Sequence, residues 1–193
     1  MKHLFLSALL AAICLTACKN AANNNDNTSE TNTPENAVQT KDIPAPDNNP
    51  EAMEVGLPEG SVAPDFTLND IDGKPLALSS LRGKHLIIDF WGSWCVWCIK
   101  GMPEMKKYYD KYSDKLEILS VDCGDSPEEW KQAVKDNNMT WKNVINDEEK
   151  DVSEIYKVEG FPTKIVVDPD GKIVRTYAGE DPAFYEFLDQ LLK

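Results

Sequence analysis

The sequence predicts one α/β domain over residues 58–193, a central sheet flanked by helices. Three observations carry that expectation. Apolar, strand-like runs alternate with helix-like segments along the whole stretch, the pattern of a sheet with helices packed on its faces. The stretch holds about 135 residues, the size of one ordinary domain and enough to bury a core. One apolar run, Leu86 to Trp91, hands over directly to a helix at Cys95-Val96-Trp97-Cys98.

The elements follow in order. Ala63 to Leu68 and Pro75 to Leu78 flank Asp72-Gly73-Lys74, so they read as an N-terminal β-hairpin extension closed by an Asp-Gly turn. Leu86 to Trp91 is a strand, Val96 to Tyr112 a helix and Leu116 to Asp122 a second apolar strand. Ser126-Pro127-Glu128-Glu129 opens the next helix, because Ser caps it and Pro fits the first position, where no N–H is needed. Trp141 to Ile145 is a shorter strand, Glu149 to Tyr156 a helix, and Ile165 to Val167 a nearly all-apolar strand. Asp168-Pro169-Asp170-Gly171 turns into a strand over Lys172 to Tyr177, and Pro182 to Leu192 closes the chain as a helix. Tyr108, Tyr109 and Tyr112 recur at helical spacing, as packing residues do.

Cys95 and Cys98 bring the chemistry. Cysteine attacks as the thiolate, and a helix N-terminus stabilises that anion, lowering a thiol pKa from about 8.5 into the range of roughly 3.5–7.5. Cys95 falls at such an N-terminus, with Cys98 one turn on along the same face. Two other readings compete with thiol-disulfide exchange. Structural zinc needs four ligands, and the spare candidates Cys123 and His85 stand apart in sequence, so no metal site is expected. A purely structural bridge over so short a loop would stabilise little. Cys123, after an apolar strand, reads as an inert buried thiol, and His85 as a strand-entry residue.

Composition limits the partners. With 33 acidic against 20 basic residues the net charge is −13, which argues against nucleic acid and against attraction to anionic lipid. Lys2 and His3 precede an apolar run from Leu4 to Ile13, too short to span a bilayer but suited to a secretory signal. Leu15-Thr16-Ala17-Cys18 then resembles the lipobox of bacterial lipoproteins. That resemblance implies a signal peptide over 1–17, lipidation of Cys18 and attachment to the membrane through the lipid. Residues 18–57 are rich in Asn, Thr, Pro, Asp and Ala without apolar periodicity, and read as a tether reaching about 35 Å.

The strand, the W-C-x-x-C and its helix look like thioredoxin. Pro103 sits where thioredoxins place a helix-kinking proline, and Gly160-Phe161-Pro162-Thr163 resembles their cis-proline loop. Together with Ala63-Pro64-Asp65-Phe66-Thr67-Leu68 and Gly83-Lys84 before the central strand, these motifs resemble the TlpA-like branch of the thioredoxin superfamily. The resemblance implies a thioredoxin-like fold with a mixed sheet and an envelope thiol:disulfide oxidoreductase, some of whose relatives reduce apocytochrome c. It implies Cys95 as nucleophile and Cys98 as resolving thiol, with no cofactor. Trp94, Trp97, Phe161 and Pro162 would meet the substrate protein, and a membrane-embedded thiol donor would supply electrons. Trp97 replaces the proline common before the second cysteine, and Gly101 stands where this branch often has Glu.

Asp89 matches the buried carboxylate of thioredoxin. Buried and unpaired, it would have a raised pKa and could take a proton from Cys98 and return it; the alternative is an Asp near the strand end that reaches water or a lysine. The lysine that accompanies this carboxylate in thioredoxin is missing from Glu117 to Asp122. An alternative is the same chemistry run toward disulfides, as an oxidase or isomerase. Peroxiredoxins share the A-P-D-F-x-L opening, but Ile88 and Gly92 occupy their Pro and Thr positions. A redox-inert polypeptide-binding adaptor is the non-enzymatic alternative.

Overall fold

The computed structural model describes residues 56–193. The expected signal peptide, Cys18 and the tether as far as residue 55 lie outside the described residues. Gly56 and Leu57 already belong to the folded part: the Gly56 N–H donates to the Lys157 carbonyl at 3.2 Å, and Leu57 packs on the core.

Seven strands form one mixed sheet in the order β2-β1-β5-β4-β3-β6-β7. They are β1 Thr67–Asp70, β2 Pro75–Ala77, β3 His85–Trp91, β4 Leu116–Asp122, β5 Lys142–Ile145, β6 Thr163–Val167 and β7 Ile173–Ala178. The central strands β3, β4 and β5 run parallel, which requires crossover connections. These are α1 (Val96–Tyr112) and α2 (Pro127–Asp136). The remaining neighbours are antiparallel. The N-terminal hairpin is part of this sheet rather than an appendage, because β1 pairs with β5 and extends the edge.

Period-two alternation divides the core. Ile87 and Trp91 of β3, Ile118 of β4 and Val166 of β6 face one layer with buried residues of α1, α2 and α4 (Pro182–Leu191). Ile88, Phe90, Leu119, Val121, Ile165 and Val167 face the other, beneath Ala63, Phe66, Leu78 and the short α3 (Val152–Ile155). Both faces are covered, as the alternation predicts, but unequally: three helices lie on the first and one short helix on the second.

The helix expected over Glu149 to Tyr156 is divided. A 3₁₀ turn spans Glu148–Lys150, and α3 starts afresh after Asp151. Two aspartates cause the break, since Asp147 accepts from Glu149 N at 2.9 Å and Asp151 from Ser153 N at 2.8 Å. Each side chain caps a new turn and draws the backbone out of a continuous helix. By contrast α2 follows its sequence signal, with a complete capping box between Ser126 and Glu129. No helix among the described residues is long and apolar enough to cross a membrane.

Candidate active site

The redox pair sits where β3 ends and α1 begins. Cys95 is the N-cap of α1, and its Sγ accepts the Cys98 backbone N–H at 3.1 Å. The two cysteines form a disulfide, and both are buried. The turn before them is tight: Cys95 N donates to Gly92 O at 3.0 Å, and a Cβ at Gly92 would run into the Trp94 indole. Glycine is therefore required at that point.

The loop after β4 clamps this turn from the side. Asp125 accepts from both the backbone N and the Oγ of Ser93, each at 2.7 Å. The Trp94 Nε1 donates to the Cys123 carbonyl at 3.1 Å. Cys123 itself is buried, and burial, reinforced by nearby carboxylates, pushes its thiol well above the usual range. That leaves it protonated and unreactive.

Around the pair the surface is apolar. Trp94, Val96 and Trp97 are all more than half exposed, unusual for side chains of this kind grouped within four residues. Trp94 packs edge-on against Phe161, ring centroids 5.2 Å apart, and Lys100 Nζ lies 4.4 Å over the Trp97 ring. Phe161–Pro162 is a cis peptide, and the Pro162 carbonyl accepts Gly179 N at 2.7 Å. The structure thus brings the Phe161–Pro162 loop against Trp94, the residue before Cys95, with Trp97 on the first turn of α1.

A polar cluster lies in the layer that the sheet shares with α1 and α4. Asp89 is 2% exposed and accepts from Ser120 Oγ at 3.0 Å; Ser120 in turn accepts from Trp141 Nε1 at 2.8 Å. Asp89 is not unpaired, as the sequence suggested. Its register partner on β6 is Lys164, whose Nζ meets Glu180 Oε2 at 2.9 Å. Burial raises the Asp89 pKa, and Lys164 and Ser120 oppose that while Glu180 adds to it. The lysine missing from β4 is supplied by β6, the other neighbour of β3. One signal for it stood in the sequence, a single lysine opening the apolar run Lys164-Ile165-Val166-Val167. Nothing marked Ser120, Asp125 or Glu180, which reach the site only through the folding of distant segments.

The remaining candidates lie elsewhere. His85 opens β3, at the end of the strand away from the cysteines, and burial lowers its pKa despite Asp168 nearby. Tyr108 and Tyr112 donate to Asp189 on α4 at 3.0 and 2.8 Å and join helix to helix. No group of three or more His, Cys, Asp or Glu that could hold a metal occurs among the described residues.

Comparison with known proteins agrees with this geometry. The chain is 34% identical over 144 residues to the thiol-disulfide oxidoreductase ResA of Bacillus thuringiensis subsp. konkukian, covering 74% of this chain and 79% of ResA. It is 36% identical over 124 residues to ResA of Bacillus subtilis, covering 64% and 69%. The thioredoxin domain of a thiol-disulfide oxidoreductase from Bacteroides vulgatus superposes with a TM-score of 0.66 at 35% identity, covering 71% of this chain and 99% of that one. A putative thiol:disulfide interchange protein DsbE from Chlorobium tepidum superposes with a TM-score of 0.64 at 28% identity, covering 69% and 94%. The AhpC/TSA family model matches residues 60–176. With that match, the mixed sheet and the cysteine pair at the head of α1, the chain belongs to the AhpC/TSA family within the thioredoxin superfamily and is a thiol-disulfide oxidoreductase.

Proposed function

We propose that the protein is an envelope reductase of protein disulfides, anchored through lipid at Cys18 and kept reduced by a membrane-embedded thiol donor. The observation that carries the reading is a redox pair at a helix N-terminus opening onto an exposed aromatic rim. That rim offers a polypeptide apolar contact beside the sulfurs, and the cis-proline loop offers it backbone. Apocytochrome c, whose paired thiols must be reduced before haem attachment, is the substrate class that the resemblance to ResA and DsbE favours.

The reaction runs in two exchanges. The Cys95 thiolate attacks one sulfur of the substrate disulfide, forming a mixed disulfide, and the other substrate sulfur leaves as a thiolate and takes up a proton. Cys98 then passes its proton to Asp89 and attacks Cys95 Sγ. The enzyme disulfide closes, and the second substrate thiolate leaves and recovers the proton from Asp89. Two electrons pass from the enzyme dithiol to the substrate.

Trapping tests the order of the cysteines. Cys98→Ala should accumulate a mixed disulfide through Cys95, while Cys95→Ala should accumulate little. Equal trapping by both variants would overturn the assignment. The potential of the Cys95/Cys98 couple tests direction, since a reduced form more stable than the oxidised one would make the protein an oxidase.

A further inference from the structure

Glu180 lies in the loop between β7 and α4, far in sequence from the cysteines, yet its carboxylate rests against the helix that carries them. A Cβ built on Gly101, one turn beyond Cys98, would meet Glu180 Oε2 at 2.5 Å and Oε1 at 2.8 Å. The carboxylate therefore fills the space that a side chain at position 101 would take. It is held there from two sides. Lys164 Nζ bonds Oε2 at 2.9 Å, and Tyr185 Oη donates to Oε1 at 2.9 Å while lying 3.4 Å from the Gly101 carbonyl. The loop is tied to the substrate rim as well, because the neighbouring Gly179 N–H donates to Pro162 O.

The charges make this arrangement consequential. Lys164 is 3% exposed and lies between two carboxylates, Asp89 across the β3–β6 ladder and Glu180, which it contacts directly. A buried ammonium can neutralise one carboxylate fully but not two, and the partner in direct contact takes the larger share. Lys164 is committed to Glu180. Asp89 is left with the neutral Ser120 hydroxyl as its hydrogen-bond partner. At 19% side-chain exposure Glu180 is also the most solvent-accessible of the three.

We propose that Glu180 is a positioning residue for disulfide exchange: by holding Lys164 away from Asp89, it keeps Asp89 a strong enough base to accept the Cys98 proton. The inference rests on the proton-transfer role given to Asp89 above. The groups facing Asp89 are Lys164 from β6, Ser120 from β4 and Glu180 from the β7–α4 loop. Tyr185 on α4 and Cys123 after β4 also feel the Asp89 charge, and Glu104 on α1 lies near Tyr185.

The test is the pH dependence of disulfide exchange by the reduced full-length protein, read with the infrared carboxyl band of Asp89. Glu180→Gln keeps the shape but removes the charge, so Lys164 turns to Asp89. The Asp89 midpoint should fall by about one pH unit, a tenfold change in its protonation ratio. Gly101→Ala provides a second route, since its methyl displaces the Glu180 carboxylate, and it should move the midpoint the same way even if Glu180→Gln folds poorly. Tyr185→Phe removes a neutral hydrogen bond and should move it least. In an Asp89→Asn background the effect of Glu180→Gln on the pH profile should vanish. A midpoint unchanged in folded Glu180→Gln and Gly101→Ala, with exchange still dependent on Asp89, overturns the role of Glu180 alone. An exchange rate insensitive to Asp89→Asn at every pH overturns the proton-transfer reading beneath it.

Discussion

Asp125 holds Ser93 by two hydrogen bonds of 2.7 Å, one to the backbone N–H and one to the hydroxyl. The aspartate belongs to the loop after β4, and the serine is two residues before Cys95. Burial works against the Asp125 charge, but the Asp122 carboxyl beside it and the two bonds from Ser93 outweigh it and hold the carboxyl below the usual range. The active-site turn is thus fixed by an ionised acceptor outside the redox motif.

Asp125→Ala should therefore act twice. It leaves the Ser93 N–H without a partner, a loss of about 1–3 kcal/mol of stability by chemical denaturation. It should also slow disulfide exchange, because the turn presenting Cys95 is released on one side. Ser93→Ala keeps the backbone bond and should cost less in both measurements. Equal effects of the two variants on exchange would show that the backbone bond does not position the turn.

Asp122 supplies a pH dependence of stability. Its side chain is fully buried at the end of β4, and burial, followed by the Asp125 carboxylate beside it, pushes its pKa from 3.8 up to about 8. The folded protein then keeps a proton that the unfolded chain has lost between these values. A raised carboxyl contributes its full stability below the unfolded pKa and loses it as pH rises toward the folded one. Asp122→Asn removes that contribution. The difference in urea midpoint between variant and wild type should move in favour of the variant from pH 5 to pH 8. A difference independent of pH would show that Asp122 does not titrate in this window.

Local signals made most of this fold legible, and non-local ones hid part of the site. Helix α1 could be read to its last residue because Cys95 caps it and its apolar face is continuous. Helix α2 announced itself through Ser126, Pro127 and Glu129. Asp147 and Asp151 broke the next helix because an aspartate can cap as well as solvate, and composition alone does not say which. The Asp89–Lys164 register depends on β6 returning antiparallel beside β3, a choice of topology made 75 residues further along the chain. Glu180 is more remote still, since its meeting with Gly101 needs the whole C-terminal hairpin in place.

The proposed anchoring rests on the lipobox-like stretch Leu15 to Cys18. Cys18→Ala should move the protein from the membrane to the soluble fraction, while insulin reduction by the folded domain stays intact. Retention of that variant on membranes through high salt and carbonate would show that the lipid is not the attachment.

Trp97 stands immediately before Cys98. It occupies the second position of α1, where the backbone N–H has no partner within the helix, so proline can be accommodated there. Its exposed ring carries the Lys100 ammonium at 4.4 Å, an attraction that draws the cation to the indole. Trp97→Pro removes the ring and frees that charge to approach the Cys95 thiolate, whose other support is the helix N-terminus. A better-stabilised thiolate favours the reduced form and makes the couple more oxidising. The potential should rise by about 30 mV, equivalent to a tenfold change in the equilibrium with a reference dithiol. Lys100→Ala in the same background should reverse most of the rise, which separates the freed charge from the loss of apolar cover. A potential that falls in Trp97→Pro, or a rise that survives Lys100→Ala, would show that the indole acts through its own packing and not through the lysine it holds.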